Sequence, residues 1–291
     1  MDGAKNRFDK KLRFAVMGDP VEHSLSPAIY GALFSRFGID GEFIKLRVTR
    51  DDVCRIRQIA AENGLSGFAC TMPLKELVIP LLDGISEEAE RISSVNIVDI
   101  RDGRLFGSST DGYGIKRAVD GRHSRKRTVI IGSGGAARAA AFKLMGETRE
   151  LVLLARNSAA GETVASRTNA AFYPFSEAET AMHGADLVIN ATPMGMTVPD
   201  FFGKPEAVAV DERILSALSR TRGDALIADM VYSPEKTTLM QRAESIGRRT
   251  LNGLDMLIYQ AFEAFCIWTG VRVDEAFADE LKSRLRDGRK L

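Results

Sequence analysis

The residues best suited to chemistry fall in four short segments of the first half of the chain. His23-Ser24-Leu25-Ser26-Pro27 supplies two hydroxyls, and Thr71-Met72-Pro73-Leu74-Lys75-Glu76 puts a lysine where a loop enters a helix. Ser109-Thr110-Asp111-Gly112 adds a carboxylate, and Gly132-Ser133-Gly134-Gly135-Ala136-Ala137 is a glycine-rich turn. In that order they suit an enzyme that moves a hydride to or from a small acidic alcohol. Reducing a ketone needs a hydride on carbon and a proton on oxygen; a dinucleotide brings the first and the protein must bring the second. A protonated lysine beside the carbonyl also stabilises the negative charge that develops there. A free lysine titrates near pH ~10.4. Burial would lower that value and a neighbouring carboxylate would raise it. Hydroxyls suit a carboxylate-bearing ligand because they add no charge that competes with Lys75.

The glycine-rich turn follows Val129-Ile130-Ile131 and opens a helical stretch, so it fits G-x-G-x-x-A between a strand and a helix. The first glycine makes the tight turn, the second lets backbone amides approach a pyrophosphate, and the helix N-terminus adds positive partial charge. The next apolar run ends Leu153-Leu154-Ala155-Arg156-Asn157. An NAD site would place an acid here for the ribose 2′-hydroxyl, but the next acid is Glu162. Arg156 offers instead a planar, permanently charged fork for a 2′-phosphate. NADP is therefore the expected cofactor, with Asn157 and Ser158 as additional neutral donors.

Each residue also has a plainer reading. Ser26 or Ser24 suits a cap for the helix that begins near Pro27. Lys75 suits a solvated helix start, Asp111 a turn or cap, and Asn96 a strand-end hydrogen bonder. Tyr232 and Met230, after a strand, suit ordinary packing. His23 suits a brace for its loop better than a general base, and His123 and His183 fall in polar segments expected to be exposed.

A chain of 291 residues is long for one core and comfortable for two. Residues 12–17, 41–48 and 67–70 read as strands, 27–37, 51–63, 74–82 and 86–92 as helices, and 95–106 as a hairpin about Asp102-Gly103. Ser86 suits a cap. From residue 128 strands and helices alternate: 128–131, 136–145, 151–155, 159–168, 187–190 and 225–229. That alternation predicts an α/β fold with a parallel, doubly wound, Rossmann-type sheet behind an N-terminal α/β domain. The helices at 254–269 and 274–286 then return to the first domain. The expected division is 1–114 plus 252–291 for substrate binding and catalysis, and 115–251 for the dinucleotide.

The net charge of +1 argues against a nucleic-acid surface. The basic clusters at 122–127 and 284–290 lack interleaved aromatics and read as solvated faces. Residues 1–11 are polar and show no apolar signal core. The longest apolar run, 254–268, is broken by Asp255, Gln260 and Glu263, so no membrane span is expected. Cys54, Cys70 and Cys266 show no metal-ligand spacing and suit reduced thiols in a cytoplasmic setting. The expected partners are a small-molecule substrate and, at most, a second copy in a homodimer. No metal is expected.

Seven segments in order resemble those of the shikimate dehydrogenase family, almost end to end. Gly18-Asp19-Pro20 with His23-Ser24-Leu25-Ser26-Pro27 resembles its G-x-P…H-S-x-S-P. Thr71 to Glu76 resembles T-x-P-x-K-E, Ser94-Val95-Asn96 its A-V-N, and Ser109 to Gly112 its N-T-D-G. Asn190 to Met196, Asp229-Met230-Val231-Tyr232 and Gly253 to Gln260 resemble its later blocks. The resemblance implies reversible NADP-linked reduction of 3-dehydroshikimate to shikimate, in the aromatic amino acid (chorismate) pathway. It implies that Ser24 and Ser26 hold the substrate carboxylate. Thr71, Asn96, Asp111 and Gln260 would hold ring hydroxyls, with Tyr232 nearby, and Lys75 with Asp111 would perform the acid–base step. Gly132, Ser133, Gly134, Gly135, Ala136, Arg156, Thr192, Met230 and Gly253 would line the cofactor.

The chain departs from the family with Ala69-Cys70 where Asn-Val is usual, Ser109 for Asn and Asp255 for Gly. Losing an amide removes hydrogen bonds that brace a loop. Two other readings stay open: a relative acting on quinate or a modified shikimate, with NAD as its cofactor, and a nucleotide- or ligand-sensing protein without turnover. The serine pair leans toward shikimate, because quinate carries an extra hydroxyl on the carboxylate-bearing carbon. Intact Lys75 and Asp111 argue against a sensor, which needs no proton donor.

Overall fold

The computed structural model describes residues 11–124, 126–199 and 205–286. The polar start at 1–10, Arg125 of the first basic cluster and the end of the basic tail beyond 286 lie outside the described residues. The chain divides into two compact units, Met1–Thr110 with Ile258–Leu291, and Asp111–Leu257.

In the first unit the elements are β1 (Leu12–Gly18), α1 (Ser26–Phe37), β2 (Gly41–Arg47), α2 (Ile56–Glu62), β3 (Gly67–Cys70), α3 (Leu74–Leu77), β4 (Gly84–Ile85), α4 (Glu87–Ile92), β5 (Ile97–Arg101) and β6 (Arg104–Ser108). The sheet order is β2-β1-β3-β5-β6-β4. β1 runs parallel to β2 and β3, and β5 is antiparallel to β3 and β6. The expected hairpin is present, Gly38 ends α1 in the left-handed region, and the Ser86 hydroxyl caps α4 through the Ala89 amide.

Two expected helices are broken for local reasons. Over 51–63 a 3-10 turn at Val53–Arg55 precedes α2. Here the Asp52 carboxylate accepts from the Thr49 hydroxyl and amide, a side-chain turn that competes with helix. Over 74–82 helix α3 gives way to a 3-10 turn at Ile79–Leu81, where Pro80 lacks an amide hydrogen. β4, two residues long, carries no pattern that sequence could reveal.

One face of this sheet packs against α2, α3 and α4 through Ala15, Met17, Phe68, Ile56, Leu74 and Val98. Alternate residues serve the other face, as strand geometry requires. There Phe14 stacks on Trp268 at 4.5 Å, and Tyr30 on Phe43 at 4.2 Å. Trp268 is fully buried and its indole N–H donates to Val98 O at 3.1 Å. Trp268 lies near the end of the long helix α11 (Leu254–Thr269), and this anchor fixes that helix on β1, β2 and α1 of its unit.

The second unit holds α5 (Asp111–Val119), β7 (Arg127–Ile131), α6 (Gly135–Leu144), β8 (Glu150–Ala155), α7 (Ser158–Thr168), β9 (Ala171–Pro174), α8 (Ala178–Met182), β10 (Leu187–Asn190), β11 (Thr197–Pro199), β12 (Pro205–Ala207), α9 (Glu212–Ala217), β13 (Leu226–Asp229), α10 (Thr238–Ser245) and β14 (Arg249–Leu251). α11 starts here and passes into the first unit after Leu257; α12 (Ala276–Arg286) follows. The main sheet, β14-β13-β10-β7-β8-β9, is parallel throughout. This is the doubly wound order, with its switch point between β7 and β10. Val129, Val152 and Val188 face α8, α9 and α10, while their neighbours Ile130, Leu153 and Ile189 are equally buried on the opposite face. Covering both faces explains the continuous apolar runs read as strands. The edge strands β9 and β14 lack such runs, so their sequence does not mark them as strands.

At the N-terminal ends of β7 and β10, Asp186 accepts from the Ser124 hydroxyl and the Arg127 amide, each at 2.6 Å, and from the Lys126 amide. Burial would raise this carboxyl, but these donors hold it below the usual carboxylate range. His123 is not exposed as expected: its side chain is 3 % accessible, 3.8 Å from Asp186. The basic cluster is not merely solvated either. Arg122 approaches Asp255, and Arg127 pairs with Glu150 and donates to the carbonyls of Thr180 and Ala181. Among the described residues no helix is long and apolar enough to cross a membrane, and no group of three or more potential metal ligands occurs.

Candidate active site

In the first unit the carboxyl end of β3 and its neighbours pin the lysine loop by backbone bonds. The Thr71 amide donates to Met17 O at 2.8 Å, the Cys70 amide to Asn96 O at 2.7 Å, and the Leu74 amide to Thr71 O at 2.8 Å. The Val95 amide donates to Lys75 O at 2.8 Å, which ties α3 to the approach to β5. Thr71 and Lys75 are half-buried. Burial pushes the neighbouring Cys70 thiol up to about 12, against a smaller downward pull from the Lys75 ammonium. Cys70 is therefore a neutral core residue beside the lysine, not a second nucleophile.

Asn96, Thr110 and Gln260 form one hydrogen-bonded cluster. Asn96 Nδ2 donates to Thr110 Oγ1 at 3.0 Å and to Gln260 Oε1 at 3.1 Å, and Asn96 Oδ1 accepts from the Thr110 amide at 2.7 Å. Thr110 Oγ1 also donates to Gln260 Oε1 at 3.2 Å. Gln260 reaches this point because Trp268, about two turns later on α11, is locked under the sheet. Thr110 was not singled out in the sequence as a site residue, although it sits inside the Ser109-Thr110-Asp111-Gly112 segment.

Ser24 and Ser26 lie together at the head of α1, with their hydroxyls 3.1 Å apart. The helix begins at Ser26 and its N-cap position, Leu25, offers no side-chain bond. Ser26 therefore does not cap the helix; the Ser24 hydroxyl accepts from the Ser26 amide at 3.2 Å. His23 is exposed.

In the second unit Asp111 is the first residue of α5 and is 4 % exposed. A carboxylate there also favours the helix dipole. The glycine-rich turn joins β7 to α6 at the switch point, where crevices between strand ends take ligands in such sheets. Gly132 has φ of 119°, and a Cβ on it would lie 3.0 Å from Thr192 Cγ2 and 3.2 Å from Ala191 O. Only glycine allows this turn so close to the loop after β10. Ser133, Gly134, Gly135 and Ala136 follow it to the N-terminus of α6, whose first amides lack intrahelical partners. Arg138, one turn into α6, donates to Ser133 O at 3.3 Å. These residues fit a dinucleotide pyrophosphate.

Arg156 is exposed at the first position after β8. Asn157 is the N-cap of α7, its Oδ1 accepting from the Ala160 amide at 3.1 Å. Its side-chain oxygen thus serves the helix as well as any ligand. Thr192 Oγ1 donates to Asn190 Oδ1 at 2.6 Å. Met230 and Tyr232 follow β13, and a Cβ on Gly253 would lie 2.2 Å from Met230 O, so residue 253 admits no side chain. The departures noted in the sequence take different courses. Asp255 is buried and 3.5 Å from Arg122 of its own unit. The Ser109 hydroxyl is buried without a hydrogen-bond partner among the described residues, as is that of Ser94.

Three family models match stretches of the chain. Residues 16–98 match the shikimate dehydrogenase substrate binding domain, 115–198 the shikimate / quinate 5-dehydrogenase model, and 253–277 the shikimate 5′-dehydrogenase C-terminal domain. The NADP(+) shikimate dehydrogenase of Methanocaldococcus jannaschii is 34% identical over 265 residues, 88% of this chain and 90% of that protein. The protein of the same name from Staphylococcus aureus strain MRSA252 is 34% identical over 90% of this chain and 94% of its own length. The crystal structure of Thermus thermophilus shikimate 5-dehydrogenase with NADP(H) and shikimate superposes with a TM-score of 0.78, at 31% identity, over 94% of this chain and 99% of that one.

Proposed function

The chain belongs to the shikimate dehydrogenase family, and from that premise we infer that it catalyses the reversible NADP-dependent reduction of 3-dehydroshikimate to shikimate. It is an oxidoreductase of the route to chorismate and the aromatic amino acids. The observation that supports a polyhydroxylated ring as substrate is the cluster of Asn96, Thr110 and Gln260. An amide and a hydroxyl held by one another present both donor and acceptor capacity to ring hydroxyls. In this reading Thr71, Asp111 and Tyr232 take part in the same recognition, and Ser24 and Ser26 receive the carboxylate.

Bound NADPH supplies the hydride for the carbonyl carbon. The chain supplies the proton: the Lys75 ammonium donates from Nζ to the carbonyl oxygen and stabilises the charge that builds there. Asp111 holds a ring hydroxyl and assists the proton transfer. Gly132, Ser133, Gly134, Gly135 and Ala136 hold the pyrophosphate, Arg156 the 2′-phosphate, and Thr192, Met230 and Gly253 the rest of the cofactor. A cytoplasmic location belongs to the same reading, supported by the free thiols of Cys54, Cys70 and Cys266. Light scattering on the purified chain would report whether it forms a homodimer.

The direct test mixes purified protein with shikimate and NADP+ and follows nicotinamide absorbance, with quinate and NAD+ in parallel. Turnover is expected to be fastest with shikimate and NADP+. Faster turnover of quinate would replace the substrate, and binding without any absorbance change would make the protein a sensor.

Ser24→Ala separates carboxylate binding from helix support. A hydrogen bond to a charged group contributes roughly 1.5–3 kcal/mol, so KM for shikimate should rise by about tenfold to a hundredfold. NADP+ binding should be unchanged. Because Ser24 accepts from the Ser26 amide, a purely structural role would show instead as a lower Tm, about 1 kcal/mol, with KM unmoved.

A further inference from the structure

One buried carboxylate ties together the two loops that follow the central strands of the second unit. Asp229, the last residue of β13, is 1 % exposed. Its Oδ1 accepts from Asn190 Nδ2 at 2.9 Å and from the Val231 amide at 3.0 Å, and its Oδ2 from Thr237 Oγ1 at 2.7 Å. Asn190, the last residue of β10, passes the constraint on. Its Oδ1 accepts from the Thr192 amide and hydroxyl at 3.2 and 2.6 Å, and its Nδ2 donates to Met194 O at 3.1 Å. On the other side the Val231 carbonyl accepts from the Gly253 amide at 3.2 Å. Asn252 Nδ2 donates to Glu235 O at 2.7 Å, and the Thr237 hydroxyl caps α10 through the Met240 amide. Thr192, Met230 and Gly253 thus hang from a single acidic group that is buried and, among the described residues, is held by neutral donors.

We propose that Asp229 is a positioning residue for the cofactor: through Asn190 and the Val231 amide its carboxylate sets the loops at 191–196 and 230–237 in the geometry that receives NADP. The proposal rests on the assignment of the cofactor to the second unit. Asp229 touches no ligand itself; it acts through Asn190, Thr192 and Met230.

An ionised carboxylate is the stronger acceptor for three donors, yet keeping it ionised in this place costs stability. Burial pushes the Asp229 carboxyl up to about 6, and the bonds from Thr237, Val231 and Asn190 only partly offset that rise. The groups facing it from β10, the following loop and α10 are neutral donors. The charged pair nearby in sequence, Lys236 and Glu244, is closed on itself at 2.8 Å. A folded value above the unfolded one means that protonation favours the fold. The stability contributed by this group is fully present below the unfolded pKa and is lost as pH rises through about 6. A residue kept only for the fold would be better neutral. The ionised group makes sense where it serves binding.

The test is Asp229→Asn, nearly isosteric and permanently neutral, with NADP+ binding to the whole protein measured by calorimetry without substrate. At about pH 7.5 the variant should bind NADP+ about tenfold more weakly than wild type, while kcat at saturating cofactor moves by less than about threefold. Its Tm should equal or exceed that of the wild type at that pH. At about pH 5 the ratio of the two dissociation constants should fall toward one, because the wild-type carboxylate is then itself mostly neutral. Titration of the ligand's own 2′-phosphate cancels in that ratio. Asn190→Ala, which cuts the link on the loop side, should weaken NADP+ binding by a similar factor. Equal affinities at about pH 7.5, or a loss of affinity that follows a loss of Tm and is the same at both pH values, would overturn the proposal. A wild-type protein that does not bind NADP+ at all would remove the cofactor assignment beneath it.

Discussion

Lys75→Ala should lower kcat by a factor on the order of 10²–10⁴, the range of general acid–base catalysis, while KM for shikimate moves far less. The asymmetry follows from when the interaction forms. The ketone oxygen is nearly neutral in the ground state and gains charge only as hydride arrives, so the ammonium contributes most in the transition state. The fold should tolerate the change. α3 is held to its surroundings by the Lys75 carbonyl, which accepts from the Val95 amide, and by the packing of the fully buried Leu74. Neither depends on the lysine side chain. Steady-state kinetics in both directions, with Tm as control, check this. A near-normal kcat in a folded variant would remove Lys75 from the chemistry and leave it a half-buried helix residue.

Arg156→Ala should raise KM for NADP+ and leave KM for NAD+ almost unmoved. The cause is local. β8 ends at Ala155, Arg156 takes the next position, and the chain offers no acid before Glu162 to repel a 2′-phosphate or pair with a free 2′-hydroxyl. Two charge-assisted bonds from one guanidinium contribute roughly 1.5–3 kcal/mol each at most. Arg156 is exposed, which reduces that gain, so the expected preference for NADP+ over NAD+ is about tens- to hundreds-fold. Some preference should survive in the variant through Ser158 and the Asn157 amide group, although the Asn157 oxygen already serves the α7 cap. A wild-type enzyme that used NAD+ as well as NADP+ would contradict the assignment and favour a quinate-type substrate.

Local signals in the chain were dependable where a short-range interaction decides the backbone. The left-handed stop at Gly38, the Ser86 cap, the hairpin at Asp102-Gly103 and the run of central strands from residue 128 were all legible. The same signals misled where side chains compete with the helix, at Thr49 and Asp52, and where proline interrupts it, at Pro80. The reading of Ser26 as a cap failed because Ser26 is itself the first helical residue, with Leu25 at the N-cap position.

By itself the sequence determined the reaction class, the cofactor type and the two-part α/β architecture. The first two are carried by segments of three to eight neighbouring residues, and the architecture by the alternation of strands and helices from residue 128. What only the tertiary structure decided is which distant side chains meet. Asn96 and Gln260 bond across 164 residues because Trp268, buried beneath the first sheet, holds α11 in place. Asn190 and Asp229, 39 apart, bond because β10 and β13 lie side by side and end level. The burial of His123 against Asp186 likewise comes from the placement of the segment before β7 beside the start of β10. Strand order and helix packing emerge from the whole set of buried apolar contacts. No local window contains that set, so a motif can name a residue for the site but not the partners that hold it there.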